Sequence, residues 1–383
     1  MTLSLRALNR ATLARQLLLE RSPMSALDAI EHLVGMQAQA PFAAYYGLWS
    51  RLDAFTGEEL SGLLTSRKAA RIVLMRGTIH LVTAKDCHRL RPLVQPALDR
   101  MLRTNATHGK PLGAVDVTAV VDAAKRLLDA DALTPGEVGA RLAEQWPHTP
   151  PGSLAEAARS LLPLVQVPPR ALWQRSGRVR LTTATAWLGK PRGKALTIDD
   201  LVVRYLAAFG PASTADVQTW SGLSRLGEVI ERLDLIRVKS EGGQTLYDIP
   251  DAPRPDPDTP APVRLIAPFD NILLSHADRT RILSDEHRKR LFSSKNGIVP
   301  GALLVDGFVA GTWELVGKCQ AQHAGAAVHQ AETQRAWRTR SGGKSFTGVG
   351  IWGFRSNRGD HSLVAWPRLR KKLPIARRTP RDA

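Results

Sequence analysis

Cysteine is nearly absent from the 383-residue chain, which holds only Cys87 and Cys319. Two thiols cannot build a disulfide framework and are too few for a cysteine-rich zinc site, so a reducing compartment and no structural metal are expected. Aromatic residues are scarce at 5%, yet hydrophobic residues reach 43%, enough for sizeable cores. No apolar run reaches the roughly 18 residues that a spanning helix needs. The opening MTLSLRALNRATLARQ places charges where a signal peptide needs an unbroken apolar stretch. A cytoplasmic, nucleoid-associated protein that does not enter a membrane is expected.

Acidic residues are also in deficit: 35 Asp and Glu stand against 53 Lys and Arg, a net charge of +18. Such an excess favours a polyanion partner, and DNA is the usual one. A solvated basic surface is the plain alternative. The distribution qualifies the number, because residues 318–383 carry +11 of it and the preceding 317 residues only +7.

Along the chain the pattern is helix-rich, punctuated by strand pairs. Residues 5–64 read as helices, with Ala26, Leu27, Ile30, Leu33 and Val34 at helical spacing and Ser25 as an entry signal. Ile72–Met75 and Thr78–Val82 read as a strand pair around Arg76-Gly77, and 86–101 returns to helix. A second unit opens with helix 115–129. Thr134, Pro135 and Glu137 then form a capping box, a helix covers 153–165, and two strands are expected around Ser176-Gly177. A third has helix 198–209, a helix capped by Ser213 or Thr214, a helix over 224–233 and a hairpin about Gly242-Gly243. The Pro/Asp-rich stretch 251–262 reads as a linker. Beyond it, VRLIAPFDNILLS and GALLVDGFVAGTWEL read as strands of a small β domain, and after Gly317 periodicity fails. The expected organisation is α+β: three tandem winged-helix motifs at 1–110, 111–195 and 196–250, a β-barrel-like domain at 263–317, and a poorly ordered basic tail at 318–383.

The residue patterns that could carry chemistry each have a bland alternative. Gln37 and Gln39 in GMQAQAP sit two apart where a helix ends, and in an extended chain both would point the same way. Two converging amides could hold a water or stabilise a sugar cation, but two capping or surface glutamines would look identical. Arg76 and His80 could wall a nucleic-acid channel, or be a solvated wing residue and a satisfied half-buried histidine. Arg67, Lys68, Arg71 and Arg76 would suit phosphate contacts at the first wing, as would Arg175, Arg178, Arg180 and Arg225 in the later units. Asp270, His276 and Asp278 could be metal ligands, but loop capping by Asp270 and Asn271, with phosphate contacts from Arg279 or Arg281, fits better. GGKS at 342–345 is not a phosphate-binding loop, because Arg338 stands where the first glycine is needed.

Taken in order, LNRATLARQLLLERS, GMQAQAP, RIVLMRGTIHLVTAKD, FGPASTADVQTWSGLS, LIAPFDNILLSHADRTRIL and LLVDGFVAGTWE resemble the AlkZ/YcaQ-type winged-helix DNA glycosylases over residues 5–317. The Gln-x-Gln pattern matches the AlkZ branch, whereas the YcaQ branch has Gln-x-Asp. The resemblance implies three winged-helix motifs and a C-terminal β-barrel cradling duplex DNA. It also implies excision of N-alkylated purines, crosslink unhooking at guanine N7, and self-resistance to DNA-crosslinking natural products. Carried over, the catalytic pair is Gln37 and Gln39, with Ala38 between them. After the GTWE strand the chain reads GKCQAQHAGAAVHQAETQRAW instead of further barrel strands and a final helix, so barrel closure is left open. The expectation is a monomeric, cofactor-free enzyme acting on damaged double-stranded DNA through an open channel. A non-catalytic winged-helix regulator is the alternative.

Overall fold

The structure, a computed structural model, describes residues 1–293, 297–316 and 325–330, with backbone alone for 315–316 and 325–330. Helix starts follow the local chemistry of the sequence. After β1 (Thr2–Leu3), Ser4 caps α1 (Leu5–Arg15), and Ser25 caps α2 (Ala26–His32). The chain continues through β2 (Met36–Gln37), α3 (Ala43–Arg51) and α4 (Gly57–Thr65) into the antiparallel pair β3 (Ala69–Val73) and β4 (Ile79–Thr83). Thr83 then caps the long α5 (Ala84–Thr104), which runs on through Pro92 and Pro96.

The next stretch holds α6 (Gly109–Leu112), α7 (Val117–Ala130), α8 (Pro135–Ala143), α9 (Pro151–Leu161), β5 (Leu164–Gln166), β6 (Leu181–Thr183) and α10 (Ala184–Leu188). The capping box of Thr134 and Glu137 is present as read. Capping boxes also start α11 (Ile198–Phe209), at Thr197 and Asp200, and α12 (Thr214–Ser221), at Ser213 and Asp216. They are followed by α13 (Gly227–Arg232) and the hairpin of β7 (Ile236–Ser240) and β8 (Thr245–Asp248). Last come β9 (Arg264–Ile266), α14 (Asp285–Leu291), β10 (Gly301–Val305), β11 (Phe308–Val316) and β12 (Gly325–Gln330).

Among the described residues three sheets form, with strand orders β2-β4-β3-β5-β6, β1-β7-β8 and β12-β11-β10-β9. The first joins strands of the two leading helix-rich segments. The second ties the N-terminus, in parallel, to the last hairpin. The largest apolar core gathers Ile30, Tyr45, Leu48, Ile72, Val82, Tyr205, Phe209 and Trp220 around the first hairpin. A separate core lies among α7, α8 and α9, and a third beneath the last sheet.

Several expectations are corrected. No hairpin forms around Ser176-Gly177: β5 pairs with β6 across that stretch, with Leu164 opposite Thr183, because Leu164 and Val165 carry the buried apolar side chains. In VRLIAPFDNILLS only Arg264–Ile266 is strand, and Asn271–Leu273 is a 3-10 turn capped by Asp270. The four strands of the last sheet form an open row, not a closed barrel, among the described residues. That sheet also continues past Gly317, since Gly325–Gln330 pairs with β11. The rest of the expected basic tail lies outside the described residues. Among the described residues no helix is long and apolar enough to cross a membrane.

Candidate active site

The Gln-Ala-Gln turn is built by the way α2 stops. His32 is its last residue, and Val34 (φ 54°) and Gly35 (φ 85°) then swing the chain round in left-handed conformations. Val34 therefore leaves the helix that its spacing predicted. The turn delivers Met36 and Gln37 antiparallel to β4, with Met36 opposite Leu81 and Gln37 opposite His80. One residue on, the Ala38 N–H donates to Ile79 O at 2.8 Å, and the Ala38 carbonyl accepts from Arg71 Nη2 at 2.7 Å. The motif is thus a short edge strand clamped to the first hairpin.

The two glutamines occupy different surroundings. Gln37 is buried, whereas Gln39 is exposed. Gln37 Oε1 accepts from Arg76 Nη2 at 2.8 Å, and Gln39 Oε1 accepts from the Ile79 N–H at 3.2 Å. Arg76 sits in the left-handed region (φ 57°) at the hairpin tip, and its guanidinium also donates to Asn271 Oδ1 and to Trp220 O, each at 2.8 Å. Desolvation first, then the neighbouring Arg279, lowers its pKa to about 10, so it remains a cation at neutral pH.

His80 is fully buried. Its Nδ1 lies 3.1 Å from Thr78 O, which can only accept, so Nδ1 carries the proton. Burial, reinforced by Arg76, pushes the ring down to about 3, which keeps it neutral, and Nε2 has no partner among the described residues. Behind Gln37 is a cavity of about 10 Å³, lined by Gln16, Met36, Ala43, Phe209 and Asn271 and by the buried Arg51–Asp270 ion pair. That is room for about one water and far too little for a nucleobase.

The basic residues singled out in the sequence divide into two groups. Arg67, Lys68, Arg175, Arg178 and Arg225 are exposed. Arg67 lies over the Trp187 ring at 4.1 Å and donates to the Trp187 carbonyl. Arg279 is half-buried over Phe292, 4.9 Å from the ring centroid. By contrast, Arg71 is 3% exposed and points at Ala38 O, so it holds the motif's backbone and presents no cation to solvent. Arg76 is spent on Gln37, Asn271 and Trp220 and is no solvated wing residue. His80 walls no channel, being enclosed on every side. Arg281 is buried and donates to Pro211 O, which removes it as a phosphate contact.

The imagined metal ligands do not converge. Asp270 pairs with Arg51, His276 Nε2 lies 3.0 Å from Phe209 O, and Asp278 caps Thr280 N. Among the described residues no group of three His, Cys, Asp or Glu could hold a metal.

Sequence reasoning missed Asn271 and the Trp220 carbonyl as neighbours of the motif. The sequence marks Asn271 as a loop cap. Its Nδ2 donates to Gly35 O at 3.3 Å while its Oδ1 takes Arg76, which ties the last third of the chain to the turn that makes the motif.

The family model "DNA glycosylase AlkZ-like" matches residues 30–340. Over 323 residues the chain is 25% identical to an interstrand DNA cross-link repair glycosylase of Streptomyces sahachiroi, covering 79% of this chain and 85% of that protein. The fold is similar to that of the Streptomyces sahachiroi DNA glycosylase AlkZ, with a TM-score of 0.69 at 22% identity, over 87% of this chain and 92% of the other.

Proposed function

The chain belongs to the AlkZ-like DNA glycosylase family and is a DNA glycosylase, and from that premise we propose that it excises N7-alkylguanine-type lesions and unhooks interstrand crosslinks, with Gln37 and Gln39 at the reacting sugar. The helix-and-hairpin segments act as winged-helix units on duplex DNA. Arg67, Lys68, Arg175, Arg178, Arg225 and Arg279 are the candidate phosphate contacts, five of them being exposed.

The observation that carries this reading is the chemistry around Gln37. Its neighbours are the cation Arg76, the amide of Asn271 and a neutral His80. None of these exchanges a proton near neutral pH, and a glutamine amide does not titrate. An N7-alkylguanine needs no such help, because its ring is already positive and leaves neutral when the C1′–N9 bond breaks. What remains is to stabilise the oxocarbenium-like sugar and to place the water that attacks C1′, its surplus proton passing to solvent. Fixed amide dipoles can do both. A normal base, which needs protonation to depart, would not be released by this set. The exposed Gln39 and the one-water cavity behind Gln37 favour handling a bulky lesion at an open surface over flipping it into a closed pocket. Gln39 is open to solvent, not walled in by large side chains, and that speaks against the regulator alternative.

The test is base release from a duplex containing N7-methylguanine, with the wild type compared with Gln37→Ala and Gln39→Ala. Release by the wild type, and loss of roughly 10²-fold or more in each variant while DNA binding persists, is expected. A wild type that releases neither N7-methylguanine nor a crosslinked guanine would return the protein to the binding-only class.

A further inference from the structure

The orientation of the Gln37 amide is fixed by a partner that cannot accept a hydrogen bond. Arg76 is donor-only, so the atom of Gln37 that faces it at 2.8 Å is the oxygen, and no flip of the amide is compatible with that contact. Arg76 is itself held from three directions: by the left-handed hairpin tip it belongs to, by Trp220 O at the end of α12, and by Asn271 Oδ1. Asn271 is locked in turn, because its nitrogen donates to Gly35 O.

Arg76 also lacks a carboxylate partner among the described residues. The buried Arg10, Arg15 and Arg51 each meet a carboxylate, whereas Arg71, like Arg76, donates to a neutral oxygen. Among the described residues the charged and titratable groups acting on Arg76 are Arg279 and Tyr205, neither of them a carboxylate, and its acceptors are neutral oxygens. A partly buried cation without a counter-charge costs stability, and this one holds Gln37.

Resting on the glycosylase reading above, we propose that Arg76 is a positioning residue that turns Gln37 so that its amide nitrogen, not its carbonyl oxygen, faces the attacking water. The two glutamines then have unlike roles. Gln37 donates through Nε2. Gln39 accepts: among the described residues its Oε1 takes the Ile79 N–H alone and keeps a second lone pair for the water or the developing sugar cation. Asn271 supports the arrangement from behind.

Single-turnover base release at saturating enzyme tests this, because the rate constant then reports chemistry in the folded, DNA-bound fraction. In Arg76→Met the Gln37 amide is free to rotate, and the rate constant should fall roughly 10²-fold, the scale of losing one preorganised donor, with DNA affinity unchanged. Arg76→Lys, which keeps a cationic donor but not the fork, should recover a large part of that loss. Gln37→Glu retains an oxygen for Arg76 but has no N–H to give and should be inactive. As a milder check on folding, Asn271→Ala removes one anchor only and should lower the rate constant less than Arg76→Met.

An Arg76→Met rate constant equal to that of the wild type overturns the proposal, whether Tm falls or not. So does a loss confined to affinity, with the salt slope of binding reduced by about 1, which would mark Arg76 as a phosphate contact. An active Gln37→Glu overturns it as well. A wild type that releases no base overturns the glycosylase reading and this inference with it, whereas wild-type release with undiminished variants overturns this inference alone.

Discussion

His80 stands across the sheet from Gln37 with its ring sealed from water. Burial and the nearby Arg76 hold its pKa at about 3, far below the ordinary 6.5. The sign of the consequence follows from proton uptake. Between those two values the unfolded chain binds a proton that the folded chain refuses, so the contribution of the neutral ring is present above pH 6.5 and lost as pH falls toward 3. The slope is at most about 1.4 kcal/mol per pH unit per histidine. His276 adds to it: burial first and Arg281 second push that ring to about 4, against the opposing pull of Asp216. Urea unfolding at pH 7.5 and pH 5 should therefore show a large loss of stability at the lower pH. His80→Asn, which keeps a donor near the Nδ1 position for Thr78 O but cannot be protonated, should lose about one proton's worth of that slope. An unchanged slope in the variant would mean that the folded protein protonates His80. The same residue shows how far a sequence can mislead. A histidine on a strand face beside a basic tip looks like a channel wall, and only the packing on both sides reveals it as core.

Between α2 and β2, the turn at Gly35 does the work of aiming the motif. Its backbone is left-handed, at φ 85°, and a Cβ there would stand 2.7 Å from Val82 Cγ1 and 3.2 Å from Leu81 O. Gly35→Ala therefore meets a strained backbone and a wall of β4 at once. A loss of about 2 kcal/mol or more in unfolding free energy is expected. Because Met36 and Gln37 follow directly, the base-release rate of the folded fraction should drop too; full activity would show that β2 finds its register without the turn. Elements of this kind were legible where their causes are local. The capping box at Thr134, the cap at Ser213 and the hairpin of β7 and β8 depend on residues a few positions apart. The pairing of β5 with β6 and with β3 depends on partners far along the chain, and no turn signal announces it. Arg76 is the sharpest case. A hairpin tip is normally wet, but Trp220 and Asn271, 144 and 195 residues away in sequence, close over this one.

At the scale of the molecule, α1 is the strut between parts that the sequence suggested as separate. Arg6 and Arg10 reach Asp306 at the turn between β10 and β11, and Arg15 reaches Asp248 at the end of β8. Asn9 Nδ2 donates to Arg281 O and Gly307 O. None of these contacts is visible from charge counting, because the acidic partners lie more than 230 residues downstream. Arg15 and Asp248 are both fully enclosed, and Asp248 also serves Arg254. Removing one partner of a buried pair leaves a bare charge, whereas removing both leaves apolar packing. Asp248→Ala should therefore cost about 3–5 kcal/mol, and Arg15→Met combined with Asp248→Leu should cost much less than that single change. Urea denaturation of the three proteins, followed by circular dichroism, measures both. The probes should also agree on one transition, since α1 is shared by the β1-β7-β8 sheet and the last sheet and neither can melt without stripping it. A double variant as unstable as Asp248→Ala would mean that the strut works through the shape of the ion pair and not through charge balance. Two separate transitions in the wild type would mean that α1 does not couple the two sheets at all.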